Sequence, residues 1–289
     1  MIKLSKWISV AGNPGSDHFY TKFGTHLLET LAVNHPKREY VFLAISHLNH
    51  VKSDSKDDAS DSPSKFKLAT QVNHKYSFVR ENLSKNNPIY VLGHSIGSYM
   101  AFNLMLTLKT NGYKTGLAVG LFPTIERMAE TPNGRKLYSL LRFFDDYPLV
   151  AGCVTVWFDW MPATVKEYLI KKHFGSDRGV VPECVIESTV ELFNSTVLSN
   201  IIHMARDELD VVNEYSFDLE PIKDLVYIYY GKEDGWAPLQ FATDMLNRNQ
   251  IPSDHIIIDD SHCEHAFVIN DSITMADKMA SLLGQYQPI

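Results

Sequence analysis

The sequence predicts an α/β fold in which a mostly parallel central sheet is flanked by helices on both faces. Short apolar runs alternate along the chain with longer segments whose apolar residues recur at helical spacing. The short runs are apolar throughout, which is typical of strands buried on both faces of a parallel sheet. With 289 residues, 45% of them hydrophobic, the chain can bury one large core. We therefore expect a single domain over residues 1–289.

The first elements follow one another closely. Residues 7–11 and 40–45 are short apolar runs with the composition of buried strands. A helix is predicted over 19–33, where apolar residues recur at helical spacing. Residues 50–64 are rich in Lys, Asp and Ser, so we expect a solvated and mobile loop there.

The later elements continue the alternation. The amphipathic segment 66–82 predicts a helix, and it leads into a strand over 88–92. Further apolar runs predict strands over 115–122, 225–230 and 255–259. The chain therefore supplies enough strands for one sheet.

A Gly-x-Ser-x-Gly motif lies between the strand at 88–92 and the helix that follows. Residues 93–97 read Gly-His-Ser-Ile-Gly. The strand before the motif and the helix after it are the context of a nucleophile elbow. Small flanking residues are needed because a turn this tight leaves no room for Cβ atoms. A glycine-rich turn with an incidental Ser is the alternative, but the context favours Ser95 as a nucleophile.

A hydrolytic Ser needs a base and an acid, which in this kind of fold follow it along the chain in the order acid, then His. Asp234 occupies the turn after the strand at 225–230, with Glu233 as the competing carboxylate. His265 follows the last strand just before a helix, and His262 is the alternative base. The choice between the two rests on their position relative to that helix and on the family resemblance described below.

Acyl transfer also needs two donors for the oxyanion, usually backbone N–H groups. One comes from the residue after the nucleophile, which is Ile96. The other is expected from Asn13, in the Gly-Asn-Pro-Gly loop after the first strand. A simple turn is the alternative for this loop, since each of its residues favours turns.

Several segments together resemble the lipid droplet-associated hydrolases over nearly the whole chain. They are Gly-Asn-Pro-Gly at 12–15, Leu-Gly-His-Ser-Ile-Gly-Ser-Tyr at 92–99, Leu-Phe-Pro-Thr-Ile-Glu-Arg-Met at 121–128, Thr-Pro-Asn-Gly at 131–134 and His-Ala-Phe at 265–267. The resemblance implies an α/β-hydrolase fold with a triad of Ser95, Asp234 and His265. It also implies residence on lipid droplets and the cytosolic face of the endoplasmic reticulum. Family members usually carry further strands ahead of Trp7, so the first strands of the usual sheet are expected to be absent.

The long connection between the strands at 115–122 and 225–230 predicts an inserted cap or lid over 124–215, with an apolar hairpin at about 138–172. The hairpin is bounded by Pro and carries Trp and Lys at its rim, which fits insertion into a lipid monolayer. It also resembles the droplet-targeting hairpin of the family. A cap helix packed over the pocket is the alternative. The candidate membrane-contact residues are Leu149, Val150, Val156, Trp157, Phe158 and Trp160.

Composition argues against several other classes. The formal net charge of −7 leaves no basic stripe for a nucleic-acid partner. The chain shows neither a signal-peptide pattern nor an uncharged apolar run of about 20 residues, so we expect a soluble or peripheral protein. The His residues lack clustered ligand-type neighbours, and no metal or cofactor is expected. His203 precedes Glu208 by five residues, where glycerolipid acyltransferases require Asp, so we expect ordinary helix contacts there.

Two hypotheses follow. In the first, the protein is a serine esterase of the carboxylic ester or sterol esterase type, acting on sterol esters or acylglycerols. In the second, it is a lipid-droplet binding or clustering protein with little or no turnover. The Ser, Asp and His favour the first hypothesis, and the apolar hairpin is compatible with both.

Overall fold

A computed structural model describes residues 3–51, 65–175 and 180–286. Its sheet has six strands in the order β2-β1-β3-β4-β5-β6, and every neighbouring pair is parallel. The strands are β1 (Lys3–Val10), β2 (Arg38–Ile45), β3 (Ile89–His94), β4 (Thr115–Leu121), β5 (Val226–Tyr230) and β6 (Ile256–Ile258). The predicted α/β fold with a parallel sheet is confirmed.

The α-helices cover both faces of this sheet. They are α1 (Thr21–Asn34), α2 (Leu68–Asn82), α3 (Ile96–Thr110), α4 (Pro132–Asp146), α5 (Pro148–Trp160), α6 (Ala163–Phe174), α7 (Glu183–Leu192), α8 (Ser195–Val211), α9 (Leu239–Arg248), α10 (Phe267–Asn270) and α11 (Ser272–Gln285). Trp7 and Ile8 are consecutive in β1 and belong to two different buried clusters. Side chains alternate between the faces of a strand, so each face of the sheet carries its own core.

The prediction that residues 50–64 are solvated is wrong at His50, the first of them. His50 is 1% exposed, and its Nδ1 lies 2.8 Å from the carbonyl oxygen of Pro14. The ring packs beneath the loop at 12–15, which the local sequence around His50 does not reveal. Residues 52–64 of the predicted loop lie outside the described residues.

The long connection after β4 contains helices α4 to α8, which we call the α4–α8 segment. α4 and α5 both pack against α8, and α6 packs against α7. In the described ranges, none of the helices has the length and hydropathy that crossing a membrane requires. The segment instead lies over the carboxyl edge of the sheet, where ligands bind in folds of this class.

A buried ion pair ties the chain after β4 to α9. Glu126 is 1% exposed and accepts hydrogen bonds from Nη1 and Nη2 of Arg248 at 2.5 and 2.6 Å. Nη2 of Arg127 lies 2.9 Å from the same carboxylate. A bidentate contact of this kind offsets the desolvation free energy of a buried carboxylate better than a single hydrogen bond does.

We expect Arg248→Met to lower the free energy of unfolding by about 3 kcal/mol, because Glu126 stays buried and loses both hydrogen bonds from Arg248. Urea denaturation measures the loss. Lys223→Met is the matched control, since Lys223 pairs with Glu220 at the surface, and it should leave the free energy of unfolding almost unchanged. Equal losses in the two variants would contradict a stabilising role for the buried pair.

Candidate active site

Ser95 lies in a strained turn between β3 and α3. Its backbone angles are φ 54° and ψ −124°, a region that residues with a side chain rarely occupy. A Cβ on Gly93 would lie 2.3 Å from the carbonyl oxygen of Gly97, and one on Gly97 would lie 2.2 Å from that of Val10. Both contacts are far too close for any side chain, so the motif needs glycine at both positions. The turn holds the Ser95 hydroxyl at the carboxyl edge of the sheet.

Ser95, His265 and Asp234 form one line of hydrogen bonds. Nε2 of His265 lies 3.0 Å from Oγ of Ser95, and Nδ1 of His265 lies 2.7 Å from Oδ2 of Asp234. A carboxylate only accepts hydrogen bonds, so Nδ1 carries the ring proton and Nε2 is free to accept the Ser95 proton. This is the arrangement that a general base beside a nucleophile requires.

Asp234 is held as an anion. Its burial acts to raise the pKa, but the hydrogen bond and charge of His265 outweigh that effect and hold the pKa of Asp234 below its usual value. The backbone N–H groups of Trp236 and Ala237 also donate to Oδ1, at 2.7 and 3.0 Å. Asp234 can therefore fix the orientation of the His265 ring and stabilise its protonated form.

The competing residues lie outside this arrangement. Glu233 is exposed beside Asp234, and His262 is exposed three residues before His265. His262 has a left-handed backbone with φ 56°, in the turn that follows β6. The structure therefore brings Ser95 together with Asp234 and His265 and leaves both alternatives at the surface.

The two residues expected to bind the oxyanion lie on either side of Ser95. Ile96 begins α3, so its N–H has no acceptor within the helix. Asn13 follows Gly12, and a Cβ on Gly12 would lie 3.0 Å from Cβ of Ser95. The loop at 12–15 thus touches Ser95. The role of Asn13 as the second oxyanion donor stays a prediction.

Tyr20 and His94 form a relay that the sequence did not indicate. The N–H of Gly12 donates to the Tyr20 hydroxyl at 3.0 Å, and this hydroxyl lies 2.7 Å from Nδ1 of His94. Nε2 of His94 lies 2.7 Å from the carbonyl oxygen of His265. A carbonyl only accepts, so Nε2 is the protonated nitrogen and Tyr20 donates to Nδ1. Burial lowers the pKa of His94 to about 3, so the ring stays neutral and joins the loop at Gly12 to the backbone of His265.

A cavity of about 410 Å³ opens beside Ser95 and His265. Its volume lies in the range of small-molecule sites. Most of its lining is apolar, and part of that apolar lining comes from the α4–α8 segment, including Leu137, Leu141, Val185, Leu192, Ile201 and Leu209. Glu208 of α8 is a polar exception, again one that the sequence reasoning did not assign to the site. In the described ranges, no three His, Cys, Asp or Glu side chains are grouped as metal ligands.

His203 and Asp207 of α8 serve separate contacts. Nδ1 of His203 lies 3.0 Å from Oδ1 of Asp145. Oδ2 of Asp207 accepts a hydrogen bond from the N–H of Leu68, the first residue of α2, at 2.9 Å. Asp207 thus occupies the N-terminus of a helix, where an acidic side chain is stabilising.

Most of the residues expected at a membrane lie at the surface of α5. Leu149, Trp157 and Trp160 are 85%, 72% and 82% exposed, and Val150 and Val156 are also exposed. Phe158 differs, because its ring packs edge-on against Phe193 with 4.9 Å between the ring centres. Further apolar side chains are exposed on α4, α6 and the turn between α4 and α5, and they include Leu140, Phe143, Tyr147, Val165, Tyr168 and Leu169. We call these exposed apolar residues of α4, α5 and α6, together with Tyr147, the apolar surface.

Known proteins resemble this chain in sequence and in structure. It matches the family described as "Lipid-droplet associated hydrolase" over residues 5–268. A Gallus gallus protein named "Lipid droplet-associated hydrolase" is 30% identical over 277 residues, which are 92% of this chain and 81% of that protein. The Homo sapiens protein of the same name is 30% identical over 289 residues, covering 95% of this chain and 83% of that protein.

Solved structures show the same fold at low sequence identity. An esterase from Exiguobacterium antarcticum superposes with a TM-score of 0.60 at 14% identity, covering 98% of this chain and 93% of its own. A peroxisomal alpha-beta-hydrolase from Saccharomyces cerevisiae superposes with a TM-score of 0.62 at 14% identity, covering 100% of this chain and 79% of its own. The fold is that of the α/β-hydrolases.

We expect His265→Ala to slow hydrolysis of an activated ester such as p-nitrophenyl butyrate by about 10⁴-fold, because Ser95 loses the base that accepts its proton. Initial-rate measurements on purified protein test this. His262→Ala is the matched control and should stay within about twofold of the unmodified protein, since a surface change away from the site has little effect. The opposite pattern would place the base at His262.

Proposed function

Because the chain belongs to the lipid-droplet associated hydrolase family, we propose that it is a serine esterase that cleaves carboxylic esters of neutral lipids, either sterol esters or acylglycerols. The observation that carries the proposal is the line of hydrogen bonds from Ser95 through His265 to Asp234 beside a largely apolar cavity. An acyl chain fits such a lining, and the three side chains supply the chemistry of ester cleavage.

In the proposed reaction, Oγ of Ser95 attacks the ester carbonyl while Nε2 of His265 takes the Ser95 proton. The N–H groups of Ile96 and Asn13 stabilise the oxyanion as the carbonyl becomes tetrahedral. The C–O bond to the alcohol then breaks, and His265 returns the proton to the leaving oxygen. Water next attacks the acyl-enzyme with His265 again as the base, which releases the fatty acid and restores Ser95.

We further propose that the apolar surface contacts the lipid-droplet monolayer and the cytosolic face of the endoplasmic reticulum. Exposed Trp and Leu side chains are typical of a membrane-interface contact. α4 supports this assignment, because Leu137 and Leu141 line the cavity while Leu140 and Phe143 are exposed on the same helix. A lipid surface bound to α4 would therefore adjoin the cavity that receives the substrate. The α4–α8 segment would then act as the cap through which a lipid reaches Ser95.

The apolar surface also favours a second candidate function. A protein that binds or clusters droplets needs this surface and does not need turnover at Ser95. Replacing Ser95 distinguishes the two functions, because ester hydrolysis requires Ser95 and droplet binding does not.

We expect a fluorophosphonate probe to label the unmodified protein and not Ser95→Ala, because the probe reacts with an activated serine hydroxyl. Hydrolysis of an ester panel from short acyl esters to acylglycerols and sterol esters should be lost in the same variant. Ser261→Ala, at an exposed serine, is the control and should be labelled normally. Labelling that persists in Ser95→Ala contradicts the assignment of the nucleophile. An unmodified protein that clusters droplets and hydrolyses no ester of the panel would favour the binding function.

We expect Trp157→Asp combined with Trp160→Asp to release the protein from lipid droplets, because each charge moved into hydrocarbon costs about 2.5–3.5 kcal/mol. Flotation with artificial droplets measures the bound fraction, and a thermal melt checks the fold. Val33→Asp combined with Ile273→Asp adds the same charge at exposed apolar positions of α1 and α11, and should leave binding unchanged. A folded Trp157, Trp160 variant that still floats with droplets would place the contact elsewhere, and a variant that melts early would indicate a packed lid.

A further inference from the structure

Glu208 is a buried carboxyl group that the proposed reaction does not use. It lies on α8, is 1% exposed and lines the same cavity as Ser95 and His265. Its Oε1 accepts a hydrogen bond from Nδ2 of Asn13 at 3.2 Å. Within the part of the chain that the structure describes, no cation pairs with this carboxyl group and no donor or acceptor contacts its Oε2.

Burial without a partner cation favours the neutral form of this carboxyl group. An anion without a cation in an apolar cavity is strongly unfavourable, so burial raises the pKa of Glu208 well above its usual range. The hydrogen bond from Asn13 acts in the opposite direction, and the charge of Asp207 acts in the same direction as burial. In the neutral form, one oxygen accepts and the other carries a proton that it can donate.

The contacts of Asn13 decide which oxygen carries the proton. Nδ2 of Asn13 also donates to the carbonyl oxygen of Ile201 at 3.2 Å. A carbonyl only accepts, so the nitrogen of the amide must be the atom that faces both Ile201 and Glu208. Oε1 of Glu208 is thus the acceptor, which leaves Oε2–H as a donor with no acceptor in the described chain.

The donor lies close to the reacting ester. Asn13 is the residue whose backbone N–H would bind the oxyanion, and its side chain reaches Glu208 directly. A substrate oxygen that accepts a hydrogen bond from Glu208 therefore lies only a few bonds away from the scissile ester. A buried donor left without an acceptor is costly, so a substrate that supplies one is favoured over a substrate that does not.

We propose that Glu208 is a specificity-determining residue that donates a hydrogen bond to a second oxygen near the scissile ester, and that it selects partial acylglycerols over sterol esters. A mono- or diacylglycerol carries a hydroxyl or a second ester within a few bonds of each ester. A sterol ester of a simple fatty acid has no oxygen apart from the ester itself. The proposal rests on the esterase function above and narrows its substrate class.

The test compares two esters of one fatty acid, a monoacylglycerol and the matching propyl ester, which lacks the hydroxyl groups. In the unmodified protein, kcat/KM for the monoacylglycerol should exceed that for the propyl ester by about 10-fold, the effect of one buried hydrogen bond. Glu208→Met removes the donor and should lower kcat/KM for the monoacylglycerol while leaving kcat/KM for the propyl ester unchanged. The ratio of the two values should then be close to 1. Glu208→Gln keeps an acceptor for Asn13 and an N–H donor, so it should restore most of the ratio.

Controls separate this proposal from a structural role and from the proposed function. Glu191→Met makes the same change at an exposed position of α7 and should keep the ratio. If kcat/KM falls equally for both esters in Glu208→Met, Glu208 only supports the fold, and the proposal is overturned. A ratio near 1 in the unmodified protein also overturns it while leaving the esterase function intact.

If neither ester is hydrolysed, the result contradicts the esterase function and does not test the role of Glu208. A binding measurement then tests that role. Competition by a 1-O-alkylglycerol and by the matching alkyl propyl ether, against a fluorescent fatty acid in the cavity, reports the same preference without turnover. About 10-fold tighter binding of the alkylglycerol, lost in Glu208→Met and kept in Glu208→Gln, supports the proposal. Equal binding of the two ethers by the unmodified protein overturns it.

Discussion

The backbone of α3 passes so close to the end of β1 that no side chain fits between them. Gly97 meets the carbonyl oxygens of Val10 and Ala11, and Gly93 meets the backbone of Gly97 and Ser98. This contact forces Ser95 into its rare backbone conformation and places the hydroxyl beside the loop that follows β1. The nucleophile, the loop at 12–15 and the first turn of α3 therefore share one location because three backbones approach one another there.

The polar groups around this location form hydrogen bonds with one another, although their residues are distant in the chain. Gly12, Tyr20, His94 and His265 form a single directional relay, in which each atom has a defined role as donor or acceptor. Burial keeps His94 neutral, and neutrality lets one ring nitrogen accept while the other donates. The relay couples the position of the loop at 12–15 to the position of His265.

The α4–α8 segment links the site to the surface. Leu137 and Leu141 of α4 line the cavity, and Leu140 and Phe143 of the same helix are exposed at the surface. α8 contributes Glu208 to the cavity and Asp207 to the start of α2, so it connects the segment to the body of the fold. Under the proposed function, a lipid bound to the exposed residues of α4 would lie next to the cavity beside Ser95 and His265.

The sequence by itself determined the features that depend on near neighbours. Strand and helix periodicity and the strand-turn-helix context of Ser95 are local patterns, and they predict the strands after which Asp234 and His265 follow. The structure brings these three side chains into one line of hydrogen bonds. Only the tertiary structure decided which histidine reaches Ser95, because His262 and His265 differ in position relative to a turn whose backbone the sequence does not specify. It also decided that Phe158 packs against Phe193 and that His50 is buried. Tyr20 and Glu208 join the site through contacts with residues that are 74 and 195 positions away, and such pairs leave no pattern in a local window. Their roles follow from burial and from the partners that the fold brings to them.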